Sequence, residues 1–173
     1  MILLPTIGEL GDKRSIHLAT RANSWIRNQR RDPQNPVLMR DAVATVQAKC
    51  QSAEVRSLDT VYNCFGLVFG SRRTTIFETE IDKILTEDRY KEIDRADVKA
   101  LDIVVYRQRP DVDPDHAALV VSAEFPLQGL DSTTKIILVA SQWGALGEYV
   151  HNVDHFDEQK IGSFRQFYTD RKI

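Results

Sequence analysis

The sequence predicts an α+β fold, with helices in the first part of the chain and an antiparallel sheet in the second. Apolar residues before position 100 recur at three- and four-residue spacing, which is typical of helices that bury one face. After residue 100 the pattern changes to short β-branched runs at 101–107, 116–123 and 135–141. Strands joined by short, turn-rich gaps pair as an antiparallel meander, and helices followed by such a sheet give an α+β arrangement.

The first two helices are predicted at 12–31 and 37–50. Residues 12–31 carry an apolar stripe at helical spacing, and the segment 32–36 (DPQNP) is a strong break between the two helices. Residues 51–60 are polar and read as a connector. Within 71–100, an apolar repeat at helical spacing indicates one more helix; its members are Phe77, Ile81, Ile84 and Leu85.

Composition limits the classes of function. A chain of 173 residues corresponds to about one domain, and a formal charge of −2 does not suggest a nucleic-acid or membrane-surface binder. The first residues lack the basic start of a signal peptide, and the chain lacks an apolar run of membrane-spanning length. We therefore expect a cytoplasmic protein without nucleic-acid or membrane partners, in which Cys50 and Cys64 are free thiols.

A cysteine and a histidine stand at the starts of two predicted elements. Asn63 is suited to cap a helix that begins at Cys64, and Gly70 is suited to end it. His116 opens the second strand of the meander. A helix N-terminus favours a thiolate, and a neutral imidazole can accept the proton of a thiol. The two residues therefore predict a thiol nucleophile site, provided that folding brings them together.

The order of these motifs resembles the NlpC/P60 and CHAP branch of the papain-like cysteine peptidases and amidases. The resemblance rests on residues 64–68 (CFGLV), 101–106 (LDIVVY) and 116–121 (HAALVV). The chain is similar, further, to a little-characterised bacterial group of that fold that carries Asn-Cys at the nucleophile and Ser-Lys-Trp-Gly after the last strand. Here the equivalents are 63–64 (NC) and 141–144 (SQWG).

The resemblance implies a papain-like domain at 59–173. Residues 1–58 have no counterpart in that family, and we expect them to form a helical extension that packs on this domain. The resemblance also implies a cysteine hydrolase that cleaves a peptide or isopeptide amide, with Cys64 as nucleophile and His116 as base and later acid. The group that orients the imidazole is expected to be Ser141, or alternatively Gln142 or Asp102. Alternation along a strand puts Ser141 and Gln142 on opposite faces, so only one of them can serve. The residues expected to bind substrate are Tyr62, Asn63 and Trp143.

Other functions fit the same motifs. A papain-like fold can act as a non-catalytic binding or toxin-neutralising module, and thiol chemistry also supports deamidation or acyl transfer. A toxin or effector would have a cognate immunity or partner protein besides its peptide or protein substrate. No cofactor or metal is expected. His151 and His155 lie four residues apart, as a metal pair on a helix would, but the sequence supplies no evident third ligand.

Overall fold

The computed structural model describes residues 14–33, 36–126, 134–154 and 164–172. Three α-helices lie in these ranges: α1 at Pro36–Lys49, α2 at Cys64–Phe69 and α3 at Ile81–Glu87. They confirm the helix predicted at 37–50, the helix starting at Cys64 and the helical repeat around Ile84. Short 3₁₀ turns are found at Glu78–Glu80, Arg95–Asp97 and Gly144–Leu146.

The sheet contains seven antiparallel strands, in the order β2-β8-β7-β6-β5-β9-β4. A separate two-stranded sheet pairs β1 with β3. The strand bounds are β1 Asn28–Gln29, β2 Glu54–Ser57, β3 Thr75–Ile76, β4 Lys91–Ile93, β5 Ile103–Arg107, β6 His116–Glu124, β7 Ile136–Gln142, β8 Glu148–Asn152 and β9 Phe164–Thr169.

Consecutive pairing of β5, β6 and β7 confirms the predicted meander. The turn expected at 128–133 lies outside the described residues. Four further strands of this sheet were not predicted, and one of them, β2, lies within the expected connector 51–60. β2 and β4 are only four and three residues long, too short to give a clear alternating pattern.

The helix predicted at 12–31 is wrong for its described part. Residues 14–33 form a non-helical segment that folds back on itself through an isolated antiparallel bridge between Ala19 and Trp25 and that contains the short strand β1. The Asn28 side chain bonds the backbone of Ile16 and Ile26, and Thr20 binds Glu87. These contacts with distant residues outweigh the local helical preference, which is a weak determinant on its own.

The two faces of the sheet bury separate apolar clusters. On one face, Ile103, Val105 and Ala117 pack with α2, α3 and the side chain of Phe65. On the other face, the alternate positions Val104, Tyr106 and Ala118 belong to a second cluster. This separation follows from the two-residue period of a strand. The first cluster seats the N-terminus of α2 against the start of β6.

Candidate functional site

Asn63 fixes the position of the helix that carries the thiol. Its Oδ1 accepts hydrogen bonds from the backbone N–H groups of Gly66 at 2.9 Å and Ile76 at 3.1 Å. Its Nδ2 donates to the carbonyl of Ile76 at 2.8 Å. The predicted cap is confirmed, and Gly70 ends the helix as expected. Because these bonds engage both the oxygen and the nitrogen of the Asn63 amide, it serves the local structure although it also lines the cleft.

Gly66 allows the chain after α2 to return close to the helix. A Cβ atom at this position would lie 1.7 Å from the carbonyl oxygen of Thr74, well inside van der Waals contact. The residue beside it, Phe65, and the thiol of Cys64 point into the apolar cluster under the sheet. The glycine of the CFGLV motif is therefore required by the packing of α2.

An open cleft of about 320 Å³ lies at the start of α2 and β6. Both Cys64 and His116 line it, although they are far apart in the sequence. The substrate residues Asn63 and Trp143 proposed from the sequence line it too, and so does Gln142. The other lining residues are Arg31, Asp115, Gly144 and Leu146.

The Cys64 thiol is largely buried, with 8% of the residue exposed. Burial raises the pKa of the thiol to about 11, while the backbone groups of Ala117, Phe65 and Cys64 and the charge of Arg31 act in the opposite direction. The helix start was expected to favour a thiolate, but desolvation outweighs this effect in the six-residue helix α2. The resting group is a neutral thiol.

His116 is the first residue of β6 and lies in the buried end of the cleft. Its ring packs against Tyr106 at a centroid distance of 5.5 Å. Burial lowers the pKa of His116 to about 3, and the nearby His151 acts in the same direction. Strand register pairs His116 with Tyr106, so its side chain starts from the face opposite Ala117, against which Cys64 packs. The two groups approach the cleft from either side of the strand end as a neutral thiol and a neutral imidazole.

Ser141 is buried on the same face as His116, but it is not a lining residue of the cleft. Its Oγ lies 2.7 Å from Nε2 of His151 and accepts a hydrogen bond from Nε1 of Trp143 at 2.9 Å. The His151 Nδ1 lies 2.8 Å from the carbonyl of Asn152. The carbonyl of Asn152 can only accept, so Nδ1 of the His151 imidazole donates to it and Nε2 accepts the proton of the Ser141 hydroxyl. Ser141 therefore fixes the indole of Trp143, which forms part of the cleft wall.

Gln142 lines the cleft from the Cys64 side of the sheet. Its Nε2 donates to the carbonyls of Asp59 at 3.0 Å and Gly144 at 2.9 Å, which fixes the orientation of the amide. The Oε1 atom is buried and has no hydrogen-bond partner among the described residues. Of the two neighbours on β7, Gln142 is the one that reaches the cleft.

Asp102 does not reach the site. It precedes β5 at the end of the sheet remote from His116, where its carbonyl accepts from Val120. Its carboxylate binds the Arg171 guanidinium at 2.6 and 3.0 Å and the backbone N–H of Lys99. Burial opposes ionisation, but these bonds outweigh it and lower the pKa of Asp102. The suggestion that Asp102 orients the imidazole is therefore wrong.

Tyr62 is buried behind the cleft and is not a lining residue. Its hydroxyl donates to Glu148 at 2.8 Å, and Arg72 binds the same carboxylate through two nitrogen atoms. Burial and the Glu148 carboxylate raise the pKa of Tyr62 to about 12. Arg56 approaches Glu148 as well. This network ties α2 to β8, so Tyr62 contributes to the scaffold of the site.

The remaining histidines do not form the helical pair considered from their spacing. His151 lies in strand β8 and is buried, whereas His155 lies outside the described residues. Among the residues that the structure describes, no group of three or more potential metal ligands comes together.

None of the described helices is long and apolar enough to cross a membrane.

Sequence reasoning missed Arg31 and Asp115 as cleft residues. Arg31 belongs to the segment mispredicted as a helix, and its backbone N–H donates to the carbonyl of Val61 at 3.2 Å. Asp115 directly precedes His116 in the sequence. Only its adjacency to the histidine signals a place near the site.

Comparison with known proteins gives no relative: no protein-family model, curated protein or solved structure matches the chain.

Proposed function

We propose that this protein is a cysteine hydrolase of papain-like, NlpC/P60-type organisation that cleaves a peptide or isopeptide amide. One observation carries the proposal: Cys64, at the start of a helix, and His116, at the start of a strand, line one cleft. A thiol and an imidazole at a shared opening are the two groups that nucleophilic acyl transfer requires.

In the proposed reaction, the Cys64 sulfur attacks the amide carbonyl carbon. The thiol proton passes to His116 as the new S–C bond forms, and the backbone N–H of Cys64 faces the developing oxyanion. His116 then protonates the leaving amine as the C–N bond breaks. Water attacks the resulting thioester, which releases the acid and restores the thiol.

The two pKa values constrain this mechanism. Because the thiol pKa is raised to about 11 and the imidazole pKa is lowered to about 3, a resting thiolate–imidazolium pair is disfavoured. Proton transfer is therefore coupled to S–C bond formation, as in general-base catalysis by a neutral histidine. Gln142, whose amide is fixed by two carbonyl partners, is the residue proposed to orient the His116 imidazole from within the cleft.

The proposed substrate is a peptide or protein. We propose either a cytoplasmic enzyme or a toxin delivered by a dedicated system, which would have a cognate partner protein. Deamidation and acyl transfer share the same thioester and differ only in the acceptor or in the amide attacked.

Hydrolysis is tested with a panel of peptides, isopeptide-linked proteins and murein peptides, using mass spectrometry to detect products. The wild type and Cys50→Ala are expected to cleave a common member of the panel, whereas Cys64→Ala and His116→Ala are inactive. Cys50 is a matched control because it is a buried free thiol that does not line the cleft. Equal cleavage by wild type and Cys64→Ala rules out the proposal.

A second candidate is a non-catalytic binding module that neutralises or recruits a partner. The raised thiol pKa favours it, because a protonated thiol is a weak nucleophile. In that case the Cys64→Ser variant still captures the partner and gives the same phenotype as the wild type. Circular dichroism confirms that the variant is folded. For the hydrolase, the same variant loses the phenotype while it still folds.

A further inference from the structure

The non-helical segment 14–33 is anchored to the helical layer in a way that brings its last residues to the cleft. The Lys83 ammonium donates to the carbonyl of Trp25 at 2.6 Å, and Thr74 donates to Oδ1 of Asn28 at 2.9 Å. The backbone N–H of Arg31 then bonds Val61, just before α2. This anchoring places the Arg31 side chain in the wall that also contains Cys64.

Arg31 differs from the other arginines around the core. Arg72 binds Glu148, Arg107 binds Asp82, and Arg171 binds Asp102. Within the described part of the chain, no carboxylate forms an ion pair with Arg31, and the residue is exposed. Its guanidinium is thus available for a ligand that enters the cleft.

A charge of the opposite sign also lines the cleft, at the residue that precedes His116 in the sequence. Asp115 is exposed, lines the cleft and forms no ion pair within the described ranges. Arg31 and Asp115 line one cleft without pairing with each other, and the charge of Arg31 acts on the Cys64 thiol, so the cleft is positive beside the thiol. A ligand with a negative group near the reacting carbonyl fits this polarity.

We infer that Arg31 is a specificity-determining residue that binds a carboxylate of the substrate next to the amide attacked by Cys64. A guanidinium matches a carboxylate by two parallel hydrogen bonds, which gives orientation as well as attraction. The carboxylate comes from an acidic side chain or from a free chain terminus. The inference rests on the proposed function for the reaction itself, but the charge preference is measurable without turnover.

The test compares two alkylating reagents of similar size at Cys64, anionic iodoacetate and neutral iodoacetamide. In both reactions the sulfur displaces iodide, an S–C bond forms and the thiol proton passes to solvent. The ratio of the two rates, measured by peptide mass spectrometry, cancels changes in thiol reactivity and isolates the preference for the carboxylate. Cys50 in the same protein gives an internal reference.

The iodoacetate-to-iodoacetamide ratio at Cys64 is expected to fall about fivefold in Arg31→Gln, and to fall in the wild type as salt is raised. Arg30→Gln is the matched control, since Arg30 has the same charge and is exposed one position earlier but does not line the cleft. An equal ratio in both variants and the wild type overturns the inference. Labelling of Cys64 by iodoacetamide but not by iodoacetate also overturns it, because the cleft then does not admit the carboxylate.

Three peptides distinguish the sources of the carboxylate. Acetyl-Ala-Glu-Ala-amide carries an acidic side chain, acetyl-Ala-Ala-Ala carries a free terminus, and acetyl-Ala-Gln-Ala-amide is neutral. If the peptide with the acidic side chain protects Cys64 from alkylation most strongly, the carboxylate is a side-chain group. If the peptide with the free terminus protects it most strongly, the carboxylate is a terminal one. Equal protection by all three overturns the inference. A charge-dependent result without hydrolysis of any substrate supports Arg31 as a carboxylate site and rejects only the hydrolase.

Discussion

Ser141 donates its hydroxyl proton to Nε2 of His151 across 2.7 Å, and both side chains are buried. The same oxygen accepts the indole N–H of Trp143, so one hydroxyl joins a buried histidine to the wall of the cleft. Loss of the hydroxyl would leave a buried nitrogen and the indole N–H unpaired. Unsatisfied groups of this kind are costly because they have lost their hydration.

Ser141→Ala is therefore expected to lower the free energy of unfolding by about 1–3 kcal/mol in urea titrations. Ser122→Ala, on the neighbouring strand β6, is the control, because Ser122 is only half-buried. The control should change stability by less than about 0.5 kcal/mol. Matching losses in the two variants would contradict the structural role assigned to Ser141.

Gly66→Ala is expected to destabilise the protein by about 3 kcal/mol or more, because its Cβ would overlap the Thr74 carbonyl and move α2 off β6. Gly144→Ala tests the alternative, that any glycine replacement near the cleft is harmful. Gly144 has φ 57°, but a Cβ there meets no atom within 4 Å, so the cost should be about 1 kcal/mol. Thermal unfolding of both variants measures the difference.

Acidification should destabilise the fold through His116. Its pKa is about 3 in the folded protein and near 6.5 when exposed, so the unfolded chain binds more protons between these values. The free energy of unfolding therefore falls as the pH drops below about 6.5, by up to about 1.4 kcal/mol per pH unit from this group.

The measurement is the slope of unfolding free energy against pH between about pH 7 and pH 5, where the ordinary carboxyl groups contribute little. His116→Gln should have a shallower slope than the wild type. His17→Gln, which changes an exposed histidine, is the control variant. Identical slopes in all three proteins would mean that His116 titrates normally in the folded state.

Alkylation of Cys64 by a neutral reagent should accelerate about tenfold per pH unit between about pH 7 and pH 10, since only the thiolate reacts. The reason is the thiol pKa of about 11 set by burial. Measuring the rate in the Cys50→Ala background removes the second thiol. A rate that is already constant above neutral pH would show that the thiolate forms at rest, contrary to the neutral pair described above.

Prediction from the sequence succeeded where the determining contacts are local. The Asn63 cap, the end of α2 at Gly70 and the helix α1 each depend on residues within a few positions of one another. The β5–β6–β7 meander was also recognised, because its strands are β-branched runs joined by connections rich in turn residues. The very short strands gave no comparable signal.

The site was predicted less completely, and the reasons are physical. Strand alternation showed that Ser141 and Gln142 face opposite sides of β7, but it could not tell which side holds the cleft. That depends on α2 packing against Ala117, on the same face as Gln142. The sequence suggested Asp102 as a group that could orient the His116 imidazole. Strand register instead places Asp102 at the end of β5 away from His116.

The sequence by itself determined the elements that present a thiol at a helix start and an imidazole at a strand start, because caps and periodicity act over a few residues. Only the tertiary structure decided that Arg31 joins them, that Gln142 lines the cleft, and that both reactive groups are neutral at rest. Burial and strand pairing involve residues that are distant in the chain. The charge states of Cys64 and His116, and the residues that surround them, are therefore set only when the whole sheet has formed.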